Sequence, residues 1–338
     1  MSLGFTPAVE IYGANAALLN ERLLKWEHVD AAGIESDQLT LTISLEGLEG
    51  LPSLGGKIGL RVGYLESGLV DKGEFVIARR TPTLFPLSLT LVAMAAPFSA
   101  ADQTGFKQRR SVSHGPTTLG ALFRQLTSRH GFSPRVAPEL SLIKIEHIDQ
   151  TNETDMGFLT RLAHRYDAVA KPVNELYVLA RRGQAKSLSG KVLPEMKLSV
   201  TTNNRPGDHA FISAKLDETA RAKYQGCKTT WWDAAAGKVR VEESGVTPFK
   251  TLRQRFQSAD DARAAGEGEV RRMEREALKV TIECPGNPGL SAEGIVLLDP
   301  TWPDFMRGRW SIDKVTANGD REKSYRCLIH ATCLDARA

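Results

Sequence analysis

Leu39, Leu41, Ile43 and Leu45 alternate with Thr40, Thr42 and Ser44, a period of two that turns one face of a strand to a core and the other to water. The same alternation returns at Ile58, Leu60, Val62 and Tyr64 after a Gly/Pro/Ser turn. It recurs at Phe75 and Ile77, and again at Leu87, Leu89 and Leu91 with Ser88 and Thr90 between them. Pro7 to Tyr12 reads as a first strand, whereas the apolar stretch Leu18 to Trp26 has no decisive period. Short strands with turn residues in each gap predict an antiparallel sandwich or barrel over residues 1–105.

The period changes near Phe106. Leu119, Leu122, Phe123 and Leu126 form a helical stripe that stops at Gly131, and a short strand follows around Ile143 to Ile148. From Asp149 to Ala163 side-chain acceptors precede an apolar stripe. Thr154 or Asn152 can cap a helix there, Glu153 and Asp155 suit the positive end of its dipole, and Phe158, Leu159, Leu162, Ala163 and Tyr166 line one face. With a strand at Leu176 to Ala180 after Pro172, residues 106–185 make a small α+β module. Gly183 to Gly190 serves as a link to the region 186–338, where strands resume. Phe211 to Leu216 is one; Tyr224 to Trp232 and Lys238 to Glu242 form a hairpin across Asp233 to Gly237. Ser258 and Asp260 introduce a helix over Ala259 to Glu276 whose charges alternate in sign, weakened by Gly266 and Gly268. Leu278 to Ile282, Ile295 to Leu298, Trp310 to Val315 and Tyr325 to Ile329 complete a second strand-rich unit.

The two strand-rich units echo each other. Pro52-Ser53-Leu54 precedes Ile58-x-Leu60 as Pro288-Gly289-Leu290 precedes Ile295-x-Leu297. Gly73-x-Phe75-x-Ile77 matches Gly308-x-Trp310-x-Ile312, and Leu87, Leu89, Leu91 match Tyr325, Cys327, Ile329. The fold expected is therefore mainly β with an α+β insertion: two similar antiparallel β-barrel domains, at 1–105 and 186–338, flanking the small α+β domain at 106–185.

Composition narrows the function by exclusion. Hydrophobic content of 41%, charge of 25% and a net charge of +4 are those of a soluble globular protein, and the short basic clusters Lys107–Arg110 and Arg271–Arg272 lack the aromatics of a nucleic-acid groove. No apolar run suits a membrane span, and no leader precedes the first strand, so a cytoplasmic site of folding is expected, with Cys227, Cys284, Cys327 and Cys333 as thiols. Cys327, His330 and Cys333 are spaced as Cys-x-x-His-x-x-Cys, but on a strand His330 faces away from both cysteines, which speaks against a metal site. The remaining histidines are scattered. Cys227 has no evident histidine partner, Glu153 and Asp155 read as capping acids rather than a catalytic pair, and Trp231-Trp232 reads as a barrel-wall or subunit contact rather than a stacking platform. No catalytic, cofactor-binding or metal-binding residue and no cofactor is assigned, and no enzymatic activity is expected.

A positive indication comes from resemblance. Gln150-Thr151-x-Glu153-Thr154-Asp155-x-x-Phe158-Leu159-x-Arg161-Leu162-Ala163 is similar to the signature of the phage late control gene D proteins, the baseplate hub family of contractile tails and R-type pyocin-like particles. Ser36-Asp37, Pro52 to Tyr64, Gly73 to Ile77, Pro285 to Leu290 and Trp310 to Ile312 resemble further family segments in the same order. Met156-Gly157, which puts a glycine in the first helical turn, and Lys323-Ser324-Tyr325 depart from the pattern. The resemblance implies a homotrimer whose paired barrels form a nearly sixfold ring between the hexameric tail tube and the trimeric central spike. The tape measure protein and other baseplate proteins are further partners it suggests, and the tail baseplate is the expected location. A hub-associated peptidoglycan hydrolase, or a carbohydrate-binding module built on the LysM-like middle domain, is the alternative.

Overall fold

The alternating segments of the first third become six strands. These are β1 (Pro7–Gly13), β2 (Leu23–Ala31), β3 (Gln38–Ser44), β4 (Lys57–Tyr64), β5 (Gly68–Thr83) and β6 (Ser88–Met94), with helix α1 (Ala16–Arg22) between the first two. They are antiparallel in the order β1-β4-β5-β6-β3-β2. The computed structural model describes residues 5–32, 36–48, 50–95, 105, 108–173, 176–181, 195–218, 224–320 and 324–334. Leu18 to Trp26, ambiguous by period, is helix and then strand. The Asn20 side chain holds the change of direction by accepting from the Ile11 amide at 2.8 Å and donating to the Ile11 carbonyl at 2.6 Å, as a neighbouring strand would. The inward residues Leu39, Leu41 and Ile43 are fully buried.

The middle module comprises β7 (Arg109–His114), β8 (Thr117–Thr118), α2 (Leu119–Arg129), β9 (Ser133–Val136), α3 (Pro138–Ser141), β10 (Lys144–Ile145), β11 (Ile148–Thr154), α4 (Asp155–Arg165), β12 (Ala168–Val173) and β13 (Leu176–Arg181). The apolar stripes of α2 and α4 face one core with Tyr177 and Leu179. Thr118 and Thr154 are N-caps, accepting from the Ala121 amide at 3.2 Å and the Gly157 amide at 3.0 Å. The acceptor-rich run before α4 is not part of the helix. It continues β11 to Thr154, with a bulge between Gln150 and Glu153 where Asn152 takes a left-handed φ of 49°. The link expected at Gly183 to Gly190 lies outside the described residues.

The last region contains β14 (Met196–Leu198), β15 (Ser213–Glu218), β16 (Gln225–Asp233), β17 (Lys238–Val246), β18 (Phe249–Phe256), α5 (Ala259–Glu276), β19 (Leu278–Pro285), β20 (Ile295–Leu298), β21 (Gly308–Asp320) and β22 (Tyr325–Cys333). Strands β16 to β18 form their own sheet and, with α5, an insertion between β15 and β19. The two glycines that lower the helix propensity of α5 are where it touches its neighbours. A Cβ on Gly266 would lie 2.8 Å from Ser244 Oγ, and one on Gly268 would lie 3.1 Å from the Tyr166 carbonyl carbon.

The remaining strands run β14-β20-β21-β22-β19-β15. Numbered in chain order within each unit, both sheets follow the sequence first, fourth, fifth, sixth, third, second. Their fifth strands even slip by one residue at matching points, between Ile77 and Arg79 in β5 and between Ile312 and Lys314 in β21. This register superposes Phe75 on Trp310, Ile77 on Ile312 and Leu89 and Leu91 on Cys327 and Ile329, as the sequence echo has it. The fourth strands differ from that echo by one residue. Val76 pairs with Lys57 and Ser311 with Ile295, so Ile58 corresponds to Val296 and Leu60 to Leu298. Consecutive apolar residues in Ile295 to Leu298 concealed the true inward positions. The units also differ at their first strand, antiparallel to the fourth in β1 but parallel in β14. They are joined edge to edge, β2 pairing with β21, so that a single 12-stranded sheet and one continuous core span both.

Candidate functional site

Because no reactive centre was predicted, the features that organise the molecule are its joints and its open edges. The main joint is the antiparallel ladder from Lys25 opposite Asp320 to Ala31 opposite Lys314. Beneath it, Trp26 packs against Tyr325 with ring centroids 5.4 Å apart. Beside it, the segment Pro285 to Leu290 is held by polar groups of the first unit. Tyr64 Oη donates to the Gly286 carbonyl at 2.6 Å, Lys72 Nζ donates to the carbonyls of Pro288 at 2.7 Å and Leu290 at 3.2 Å, and Asp30 accepts from the Ala292 amide at 3.0 Å. Gly286 is required there, since a Cβ would fall 2.1 Å from the Tyr325 ring. Half-buried Lys72 points its ammonium at carbonyl dipoles, and desolvation draws its pKa below the usual lysine value.

Next to Lys72 lies His28, 4% exposed, edge-on to Phe75, with Nε2 making no hydrogen bond. Burial, reinforced by Lys72 and Lys171 against the opposing Asp37, lowers its pKa to about 4, so the imidazole is neutral near pH 7. Lys171 of the middle module reaches into the same region and donates to the Ala31 carbonyl at 2.8 Å and to Asp37 at 2.6 Å.

The middle module has a buried polar centre of its own. Asp155, fully buried at the start of α4, accepts from Gln150 at 2.8 Å and Arg129 at 3.1 Å and lies 2.8 Å from His130 Nε2. Burial alone would raise the carboxyl pKa, but these partners outweigh it and hold it below the ordinary value. The sequence reading treated Asp155 as a dipole anion and His130 as isolated. The fold brings them together from α2 and α4, tying the two helices inside a closed core. Glu153 instead pairs with Arg161 at 2.9 Å near the surface.

The other sequence candidates separate. Cys327 is buried opposite Cys284, while His330 on the other face of β22 lies 3.3 Å from Thr281 Oγ1, so Cys327, His330 and Cys333 do not converge. Cys227 is buried, and burial pushes its pKa up to about 11. Trp231 turns toward α5 with Nε1 donating to Glu242 at 3.2 Å, whereas Trp232 points to the opposite face, 42% exposed. The pair forms no common platform. Among the described residues no group of three metal-ligating side chains occurs, and no helix is long and apolar enough to cross a membrane.

Several strands have one neighbour, and so one open edge, among the described residues. Among them, β15 pairs with β19 alone, and beyond Ile77 the second half of β5 pairs with β6 alone. Ala78 to Thr83 are exposed on both faces, and the tip that follows presents Leu84 at 85%, Phe85 at 95% and Leu87 at 43% exposure. In the second unit the matching positions are covered: Val315 and Ala317 are each 3% exposed in the shared core, and β2 pairs along that edge of β21.

No protein-family model matches the sequence. The chain is 31% identical over 214 residues to the "Probable baseplate hub protein" of Escherichia phage P2 and 32% identical over 213 residues to that of Escherichia phage 186. Each match covers 63% of this chain and 52% of the relative, so the chain spans about half the length of the curated relatives it matches. Its fold matches the 43 kDa tail protein of prophage MuSo2 from Shewanella oneidensis with a TM-score of 0.63 at 11% identity, covering 96% of this chain and 98% of that one. It also matches an Escherichia coli component of the type VI secretion system, described as similar to the T4 tail proteins gp27 and gp5, with a TM-score of 0.53 at 12% identity, covering 98% and 76% of the two chains. The resemblance read from the Asp149 to Ala163 run is borne out: this chain is similar to the baseplate hub proteins of phages P2 and 186 over about half of their length, and it shares the fold of solved phage tail proteins.

Proposed function

We propose that this chain is a structural hub subunit of a phage or phage-like tail baseplate, forming a trimeric ring that adapts a hexameric tail tube to a trimeric central spike. The observation that carries this reading is the repeated strand order in the two units. Three copies of a chain with two alike units present six similar positions around a threefold axis, which is the symmetry such an adaptor must reconcile. The kinship with hub proteins supports a non-enzymatic role, and the burial of Asp155, His130 and Cys227 inside closed packing supports it further. The tube, the spike and the other baseplate proteins are the partners of the reading, and assembly takes place in the bacterial cytoplasm.

Light scattering on the purified chain at micromolar concentration, with negative-stain imaging, tests it. A trimeric ring is expected. A stable monomer that stays monomeric with tube and spike proteins present overturns the proposal, and clearing of peptidoglycan in a zymogram would favour the hydrolase instead.

A further inference from the structure

We infer that neighbouring copies join by strand addition, the free edge of β15 in one copy pairing antiparallel with the second half of β5 in the next. The joint repeats the β2–β21 ladder already present inside each chain. The inference rests on the ring reading above and specifies its interface.

The argument is one of transferred register. In each chain the second strand of the first unit, β2, lies on the fifth strand of the second unit, β21. The units share one strand order, so the second strand of the second unit and the fifth strand of the first unit are the corresponding edges. Those are β15 and, past Ile77, β5, and among the described residues both edges are open. On β21 the fourth strand occupies the start, at Gly308 to Ser311, and β2 the remainder of the same edge. On β5, β4 likewise occupies the start, from Gly68 to Val76, and Gly55 and Gly56 bond to the Ile77 backbone; past Ile77 no described strand follows on that edge, where Arg80 Nη1 donates to the Pro52 carbonyl at 2.8 Å.

The exposure pattern agrees. Arg80, Pro82 and Leu84 are the counterparts of Val315, Ala317 and Gly319, which are paired along their edge by β2. In a single copy the first three are exposed, and Leu84, Phe85 and Leu87 leave an apolar tip in water. Such an edge is a template for pairing, and a second copy of this chain brings the strand that fits it.

The register follows from the bulge-matched alignment. Asp30 opposite Val315, His28 opposite Ala317 and Trp26 opposite Gly319 become Glu218 opposite Arg80, Leu216 opposite Pro82 and Ala214 opposite Leu84. The first of these sets unlike charges across the joint, and the third sets the apolar tip against alanine. Pro82 has no amide proton, so the joint forgoes one main-chain bond at that pair.

The test mixes two full-length single variants carrying different tags, Arg80→Cys and Glu218→Cys, under mild oxidation or with a short bismaleimide. Directly opposed residues in an antiparallel pair have Cα atoms about 4.5–5.5 Å apart, within reach of either bond. A covalent heterodimer joined at Arg80→Cys and Glu218→Cys in tryptic peptides is expected, absent when Glu218→Cys is replaced by Lys228→Cys and absent in the parent chain. A trimer by light scattering that gives no such crosslink overturns the strand joint and leaves the ring reading standing. A chain that never trimerises overturns both. As a second readout, Glu218→Pro, the counterpart of Asp30 and so on the side of β15 away from β19, is expected to convert the ring to monomer while the circular dichroism spectrum is retained. A ring that persists in that variant overturns the joint.

Discussion

Protonating His28 should loosen the chain at the joint between its two units. The group is 4% exposed, has no hydrogen bond at Nε2, and titrates near 4 instead of near 6.5. Its folded-state pKa is depressed, so between those values the unfolded chain binds a proton that the folded chain excludes. Stability contributed by neutral His28 is therefore complete above about pH 6.5 and declines as the pH falls toward 4. A displacement of two to three pH units at 1.36 kcal/mol each amounts to about 3 kcal/mol. Other groups act in the same interval. His330, lowered by burial, adds to the loss, while Asp37 and Asp261, both raised by burial, oppose it. The measurement is thus a difference. Urea unfolding of the parent chain and of His28→Leu is followed from pH 7.5 to 4.0, and the gap in midpoint stability should shrink or reverse by about 3 kcal/mol across the window. Parallel curves for the two proteins would refute the reasoning, because they would mean that His28 charges as readily in the folded chain as in the unfolded one.

Three further outcomes are expected. Gly286→Ala puts a methyl 2.1 Å from the Tyr325 ring and should destabilise by about 1–3 kcal/mol in thermal unfolding. Thr154→Ala removes the cap of α4 and should lower stability by about 1 kcal/mol, with Thr154→Ser close to parent. Asp155→Asn leaves Arg129 and His130 facing a neutral amide and should lower stability by about 3 kcal/mol at pH 7. Because the Asp155 pKa is held down, the penalty should fade as acid protonates the parent carboxylate, and urea melts at pH 7 and pH 3 would reveal whether it does.

The parts of the fold legible in the sequence were those set by local periodicity. Leu39, Leu41 and Ile43 are inward strand residues because alternation is a property of one strand, and α5 begins after Ser258 because its cap and first turn are adjacent in sequence. Leu18 to Trp26 was not legible, since its apolar residues satisfy helix and strand alike. The strand β18 was missed because Arg253, Gln254 and Arg255 face water, its inward residues being Leu252 and Phe256. Pairings between distant segments left no local trace. Lys25 opposite Asp320 and His130 beside Asp155 arise only when separate elements pack. The internal echo lay between these cases: it located the repeated unit, and its one-residue error in the fourth strand came from a run in which every residue is apolar.

The placement of the middle module follows from the same repeat. In the first unit Lys171 fastens the module to Ala31 and Asp37, which flank the connection between β2 and β3. In the second unit the corresponding connection, between β15 and β19, is the insertion containing α5. That helix holds the module through Tyr166 on Asp261 at 2.5 Å, Arg165 on the same carboxylate at 3.5 Å, and Arg275 with Asp167. The module is therefore anchored at equivalent points of both units and shares one end of the strands with them. Gln38 pairs with Met94 but Ser44 with Ser88, so the Leu84–Leu87 tip lies at the opposite end. A ring built from this chain then has two chemically distinct rims, one bearing the α+β modules and one bearing apolar tips. Asp261→Ala should free the first rim alone: hydrogen exchange is expected to quicken around the end of α4 and in α5, while β21 and β22 stay protected. Equal quickening in β21 and β22 would show that the module and the shared sheet open as one body, and the separation of the rims would fail with it.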